Sequence, residues 1–211
     1  FSTQSVSSNA PGQYVHHVGT DLVVAYPDGT ERLLVKGDQP AIGLQAVHDF
    51  CVDLEGKSIV YSHIEAIPGL FAKRCDLWRV DIQSGDTTRL TDSANEWNPP
   101  WGAAQFNPQR PIDQTTENRN RESRGLFYDR VWNMGPCICG DGSTIFSSNR
   151  EAMRSPGEAY PPSFQLFRME ADGRNCHLIG HLNLGGALHP TINRNGRVVW
   201  SSAEQQGNRK G

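Results

Sequence analysis

The sequence predicts an all-β fold: a β-propeller of four-stranded antiparallel blades, with about three blades' worth of strands present, a partial propeller. Three observations carry this prediction. A short turn leading into a hydrophobic strand occurs at Asp53-Leu54-Glu55-Gly56-Lys57-Ser58-Ile59-Val60-Tyr61, at Gly140-Asp141-Gly142-Ser143-Thr144-Ile145-Phe146 and at Arg194-Asn195-Gly196-Arg197-Val198-Val199-Trp200. A strand running into a glycine turn also occurs three times, ending at Pro27-Asp28-Gly29, Ser84-Gly85 and Asp172-Gly173. Matching glycines recur 56 residues apart from Gly29 to Gly85 and 54 from Gly142 to Gly196, and 86 and 88 apart across the insertion, from Gly56 to Gly142 and from Gly85 to Gly173. Units of about 40–50 residues with four strands each are propeller blades.

The elements follow in order. Residues 21–26 and 31–35 are two outer strands joined through Pro27-Asp28-Gly29, where Pro presets φ and Gly accepts the positive φ of the turn. Residues 47–52, 58–63, 75–82 and 87–91 make a complete unit. Within it, Leu77, Arg79 and Asp81 fall on one side and Trp78, Val80 and Ile82 on the other, the period of a strand. Residues 131–138, 144–148, 163–169 and 175–179 make a second unit, and 187–193 with 197–203 the first half of another. Propellers close with about 4–8 blades. Three blades' worth of strands is therefore expected to form part of a larger ring, completed by protein partners or flanking domains.

Residues 1–12 read as a polar N-terminal lead and residues 13–211 as the propeller, interrupted by a long polar insertion at about 102–130. The core of the insertion, with Arg110, Arg119, Arg121 and Arg124, has no apolar periodicity. It reads as a solvated surface loop, with a partner-docking arm as the alternative. Trp97-Asn98-Pro99-Pro100-Trp101 reads as aromatic packing between blades rather than an exposed patch.

Composition narrows the function classes. Of 211 residues 36% are hydrophobic and 20% charged, with 21 Gly and 13 Pro, which is globular and turn-rich. A formal net charge of −3 argues against a nucleic-acid or anionic-membrane surface, and no apolar run reaches the length of a membrane span. The chain opens at Phe1 with a polar stretch and no signal-type segment, which is read as a processed or partial chain.

The repeats resemble a known family. Residues 76–92, opening Asp76-Leu77-Trp78-Arg79-Val80-Asp81, and residues 140–150, closing Ser147-Ser148-Asn149-Arg150, resemble the PD40 repeat of TolB-like propellers across most of residues 21–203. More narrowly, His48-Asp49-Phe50-Cys51-Val52-Asp53 and residues 189–200, opening His189-Pro190-Thr191-Ile192, are similar to the propeller-containing middle domain of proteins related to the hydrazine synthase alpha subunit. That resemblance implies a periplasmic or otherwise extracytoplasmic location and a propeller beside c-type haem domains. The chain itself carries no Cys-x-x-Cys-His, so no cofactor is expected in it, and any haem c would sit in flanking domains.

Four residues are candidates for binding a ligand or partner: His48, Asp49, Arg150 and His189. His48-Asp49 and His189-Pro190 are read at corresponding places on inner strands, which line a propeller's central channel. There the imidazoles either face a ligand or neighbouring domain, or hydrogen-bond a turn and stabilise the blade. Arg150 carries the same two readings. Of the five cysteines, Cys51 and Cys75 flank strands of one unit in an arrangement that allows a bridge, but scattered cysteines in a chain this long favour unpaired, small core residues. Cys137-x-Cys139 with His177, His181 or His189 lacks the second paired set of a structural zinc site, so no metal is expected. No Gly-x-Ser-x-Gly elbow and no phosphate-binding glycine loop occurs, which leaves the catalytic residues unknown. The expected function is a non-catalytic scaffold or protein-interaction module of a larger extracytoplasmic protein. The alternative is the propeller part of a multi-domain c-type haem oxidoreductase.

Overall fold

In a computed structural model, residues 20–37, 46–66, 73–93, 131–150, 164–180 and 186–202 are described here. The polar lead, the insertion at 102–130, the Trp97–Trp101 cluster and His181 lie outside them. The regular structure among the described residues is all strand, in an open, partial propeller-like arrangement. No helix among these residues is long and apolar enough to cross a membrane.

Among the described residues twelve strands form four antiparallel sheets. β1 (Leu22–Ala25) pairs with β2 (Glu31–Val35). β3 (Ala46–Val52), β4 (Ser58–Ala66), β5 (Lys73–Asp81) and β6 (Thr87–Arg89) form one four-stranded blade in that order. β7 (Asn133–Ile138), β8 (Thr144–Ser148), β9 (Gln165–Met169) and β10 (His177–Leu178) form the next. β11 (Ala187–Ile192) and β12 (Val198–Ser202) close the described chain as a hairpin. The order of elements is that read from the glycine spacing.

Most strand ends shift by a residue or more from the sequence reading, β4 running on to Ala66 rather than residue 63, and two of the shifts have a clear local reason. β6 stops at Arg89 rather than residue 91 because the Thr91 hydroxyl takes over as partner, accepting the Leu77 N–H at 3.0 Å. β10 is two residues long because Asn175 adopts φ +52, outside the extended range.

The core lies between sheets, as the period-two pattern requires. Val60, Leu77, Phe146, Phe167 and Met169 are buried together between the two four-stranded blades. Ile59, Tyr61 and Val80 face the other way and pack with Leu22, Val47 and the half-buried Trp78 against β1 and β2. Each such side chain contributes about 1.5–3 kcal/mol on burial. The blades also approach at backbone level. Gly173 (φ +86) turns so tightly against Leu90 that a Cβ there would lie 2.4 Å from the Leu90 carbonyl oxygen.

Polar ties cross the same interface. Asp76 is fully buried and accepts from Thr91 Oγ1 (2.9 Å), Ser93 N (2.8 Å) and Ser93 Oγ (2.9 Å), and it pairs with Arg89. Thr91 Oγ1 in turn accepts from Asn133 Nδ2 of β7 at 3.2 Å, and Asn133 Oδ1 accepts from Arg150 Nη2 at 2.8 Å. A continuous buried network thus runs from one blade to the next.

Candidate functional site

The innermost strands β3, β7 and β11 lie side by side, and each is interrupted near its middle. The ladder register slips between Val47 and Phe50, between Met134 and Cys137, and between Leu188 and Thr191. The local sequences explain the slips. Pro136 and Pro190 have no N–H to give a ladder, and such residues are confined to edges and bulges. Gly135 adopts φ +61 and His189 φ +49, both in the left-handed region. For His189 that conformation costs about 1–2 kcal/mol.

The three interruptions converge on one open cleft of about 400 Å³, lined by His48, Asp49 and Phe50 of β3, Gly135 and Pro136 of β7, and His189 and Pro190 of β11. Three of the four candidate residues, His48, Asp49 and His189, therefore meet. Asp49 is the hub. Its Oδ2 lies 3.1 Å from His48 Nδ1 and its Oδ1 lies 3.8 Å from His189 Nδ1. The Gly135 N–H donates to Ser62 Oγ of β4 at 3.2 Å. Gly135 has no room for a side chain, since a Cβ would sit 3.3 Å from His189 Cα.

The charges follow from these contacts. The bond to Asp49 raises the pKa of His48 above its ordinary value, against the opposing effect of burial. Burial pushes the Asp49 carboxyl up, but His48 and His189 together outweigh it and hold the pKa below the usual value. The result is a carboxylate flanked by two imidazoles, beside Phe50, which is 58% exposed. Such a set hydrogen-bonds a polar or charged group arriving over an aromatic edge. Among the described residues the lining holds no hydroxyl or thiol. Among the described residues no cluster of three His, Cys, Asp or Glu is arranged to hold a metal ion.

The correspondence between repeats is shifted by one residue from the sequence reading. Asp53, Cys139 and Asn193 are the residues whose carbonyls accept the turn-glycine N–H in the three hairpins. Counted four back from them, Asp49, Gly135 and His189 are equivalent, whereas His48 matches Met134 and Leu188. The turn glycines Gly56, Gly142 and Gly196 each stand seven residues after Asp49, Gly135 and His189, so the alignment follows from the glycines and is missed only when His48 is matched to His189 by residue type. Gly135 and Pro136 were not singled out from the sequence, yet Gly135-Pro136 stands where His189-Pro190 does, a signal that the same count brings out.

Arg150 does not line the cleft. It bridges Asn133, Ser148 (Nε to Oγ, 3.1 Å) and Cys176 (Nη1 to Sγ, 3.0 Å), with its guanidinium 5.4 Å and 5.3 Å from the Phe146 and Phe167 ring centres. Here it holds an inter-blade core together. The described cysteines are all free thiols, so Cys51 and Cys75 are not bridged. Cys75 instead donates to the Asn133 carbonyl at 3.1 Å. Cys137 is buried on β7, while Cys139 lies beyond the strand's end in the turn. His177 is exposed on β10, its Nδ1 2.7 Å from the Asn175 carbonyl.

No family model matches the chain, and no curated protein matches it. Solved structures do. The chain is similar to hydrazine synthase of Kuenenia stuttgartiensis, with 15% identity over 93% of this chain and 26% of that one and a TM-score of 0.51. A putative TolB from Agrobacterium tumefaciens matches with 17% identity over 91% of this chain and 53% of the other, at a TM-score of 0.47. The chain thus spans about half of the TolB chain and about a quarter of the hydrazine synthase chain. At this identity the hydrazine synthase match shows the fold, a β-propeller, in agreement with the resemblance read from the repeats.

Proposed function

We propose that this chain is a non-catalytic propeller module of a larger extracytoplasmic protein, scaffolding and docking protein partners through the axial cleft. One observation carries the reading: three successive inner strands break their ladders side by side and gather His48, Asp49 and His189 at one open cleft. A strained non-glycine backbone at His189 is maintained there at a cost. A purely structural strand has no reason to keep it. Exposed apolar residues at the two ends of the described array, Val23 and Leu33 in front and Val199 and Trp200 behind, suit contact with flanking domains or partners that complete the ring.

The test uses the native full-length protein, tagged and isolated from its cell envelope. Partners held by the wild type are expected to be lost on His48→Ala or His189→Gly while circular dichroism stays unchanged; glycine is chosen because it accepts φ +49. Identical partner sets for wild type and both variants would refute a docking role for the cleft.

The fold shared with part of hydrazine synthase favours a second reading, the propeller part of a multi-domain c-type haem redox enzyme. On that reading the cleft faces a neighbouring domain and haem c is held outside these residues. A Soret band with pyridine-haemochrome features in the full-length protein would support it, and a full-length spectrum without either would remove it.

A further inference from the structure

Two half-blades bound the described array, and among the described residues each leaves one strand edge unpaired: β1 pairs with β2 alone and β12 with β11 alone. Both are held in place by the blade beside them. The Thr20 carbonyl accepts the Val47 N–H at 3.0 Å, and Arg32 Nη1 donates to the Ile82 carbonyl at 2.9 Å. At the other end the Ala187 N–H donates to the Phe164 carbonyl at 2.7 Å. A strand edge presented in this way is a template for pairing with another chain.

The two halves are complementary. β11 and β12 take the places of β3–β4 and β7–β8, the inner half of a blade, while β1 and β2 take those of β5–β6 and β9–β10, the outer half. The turns fix the correspondence residue by residue. Tyr26, Asp81 and Glu170 donate the N–H that closes each outer hairpin, and three residues before them stand Val23, Trp78 and Phe167. Ser58, Ser143 and Arg197 accept the N–H that closes each inner hairpin, and three residues after them stand Tyr61, Phe146 and Trp200. In the complete blades these positions face one another, Tyr61 against Trp78 and Phe146 against Phe167. The same register sets Trp200 against Val23 and Val199 against Val24.

We infer that two copies of this chain close one ring, β12 of each pairing antiparallel with β1 of the other. This deepens the proposed role by naming what completes the propeller, and it rests on the propeller reading rather than on the cleft. Exposure marks the junction. Phe146 and Phe167 are 0% and 1% exposed, whereas their counterparts Trp200 and Val23 are 42% and 37% exposed. Val52 is also exposed, although it stands where Ile138 packs against the inter-blade core. Closure brings Val199 of one copy to Leu22 and Tyr61 of the other, as Val60 joins Leu77 and Phe146 within one chain. Blade number selects a second copy. The four sheets amount to three blades, so two copies give six, within the closing range of about 4–8; one copy falls short and three overshoot. A two-fold axis along the channel makes the two junctions identical.

The test weighs the full chain in solution by light scattering and cross-links the junction. The wild type is expected at twice the mass of one chain. Trp200→Asp and Val23→Asp are expected at the mass of one chain with unchanged circular dichroism, because both side chains are exposed in the single copy. Leu54→Asp, exposed in the β3–β4 turn away from both edges, is expected to stay dimeric. Oxidising a mixture of differently tagged Val24→Cys and Val199→Cys chains is expected to join the two through those positions, whereas Leu33→Cys with Val199→Cys gives no such product. A wild-type monomer, a larger assembly or a cross-link mapped elsewhere would each overturn the inference and leave these edges to another protein or segment. The wild-type mass and the cross-link map decide the matter should an aspartate variant fail to fold. Partner capture at the cleft is a separate readout, so either reading can fail while the other stands.

Discussion

Replacing Asp76 with alanine probes the network that joins the two complete blades. The carboxylate is fully buried and is the acceptor for three donors, the Ser93 N–H, the Ser93 hydroxyl and the Thr91 hydroxyl. Ser93 and Thr91 are themselves buried. Each buried donor left without an acceptor costs about 1–3 kcal/mol. The two hydroxyls can rotate, but the backbone N–H cannot. Arg89 adds little, because its side chain is one-quarter exposed and keeps Asp92 at 2.8 Å. The total is about 3–5 kcal/mol, a large share of the roughly 5–15 kcal/mol that holds a domain folded. With a urea slope of about 2–3 kcal/mol/M, the unfolding midpoint falls by roughly 1–2.5 M. Asp76→Asn keeps one acceptor oxygen and the shape, so it is expected to lose less than half as much. A midpoint for Asp76→Ala within about 0.2 M of wild type would refute the assignment of Asp76 as the hub of this network.

Two further outcomes follow from single positions. Gly173→Ala places a methyl 2.4 Å from the Leu90 carbonyl at φ +86, whereas Gly56→Ala at φ +67 meets open space. Thermal unfolding is expected to show a loss of about 1 kcal/mol for Gly56→Ala and at least twice that for Gly173→Ala, and equal losses would deny the close approach of the blades. In an NMR titration His48 is expected to ionise above its ordinary value and to fall back in Asp49→Asn. Because the folded-state pKa is the higher one, this pair stabilises the fold fully below about 6.5 and ceases to do so as pH rises through the folded value. An unchanged His48 titration in Asp49→Asn would remove Asp49 as its partner.

Much of the architecture was legible because it is written locally. Pro27-Asp28-Gly29 and its counterparts specify turns by the φ values they permit, and Leu77 to Val80 specify two faces by alternation. His48, Asp49 and His189 were legible as residue types on inner strands. Their alignment was recorded in the spacing to the turn glycines, seven residues on from Asp49, Gly135 and His189, and matching the two histidines by residue type shifted it by one. Arg150 was legible only as a residue with two readings, and the packing of Phe146 on Phe167, over which its guanidinium lies, decides for the blade-stabilising one.

The sequence by itself determined the all-β class, the order of the strands and the blade period, because hairpins depend on neighbours a few residues apart. Tertiary structure alone decided what faces what across blades: Asp49 against His189, Thr91 against Asn133, Cys51 against the Ile138 N–H. These partners lie between 42 and 140 residues apart along the chain. Nothing in the local chemistry of one repeat records the angle at which the next packs upon it.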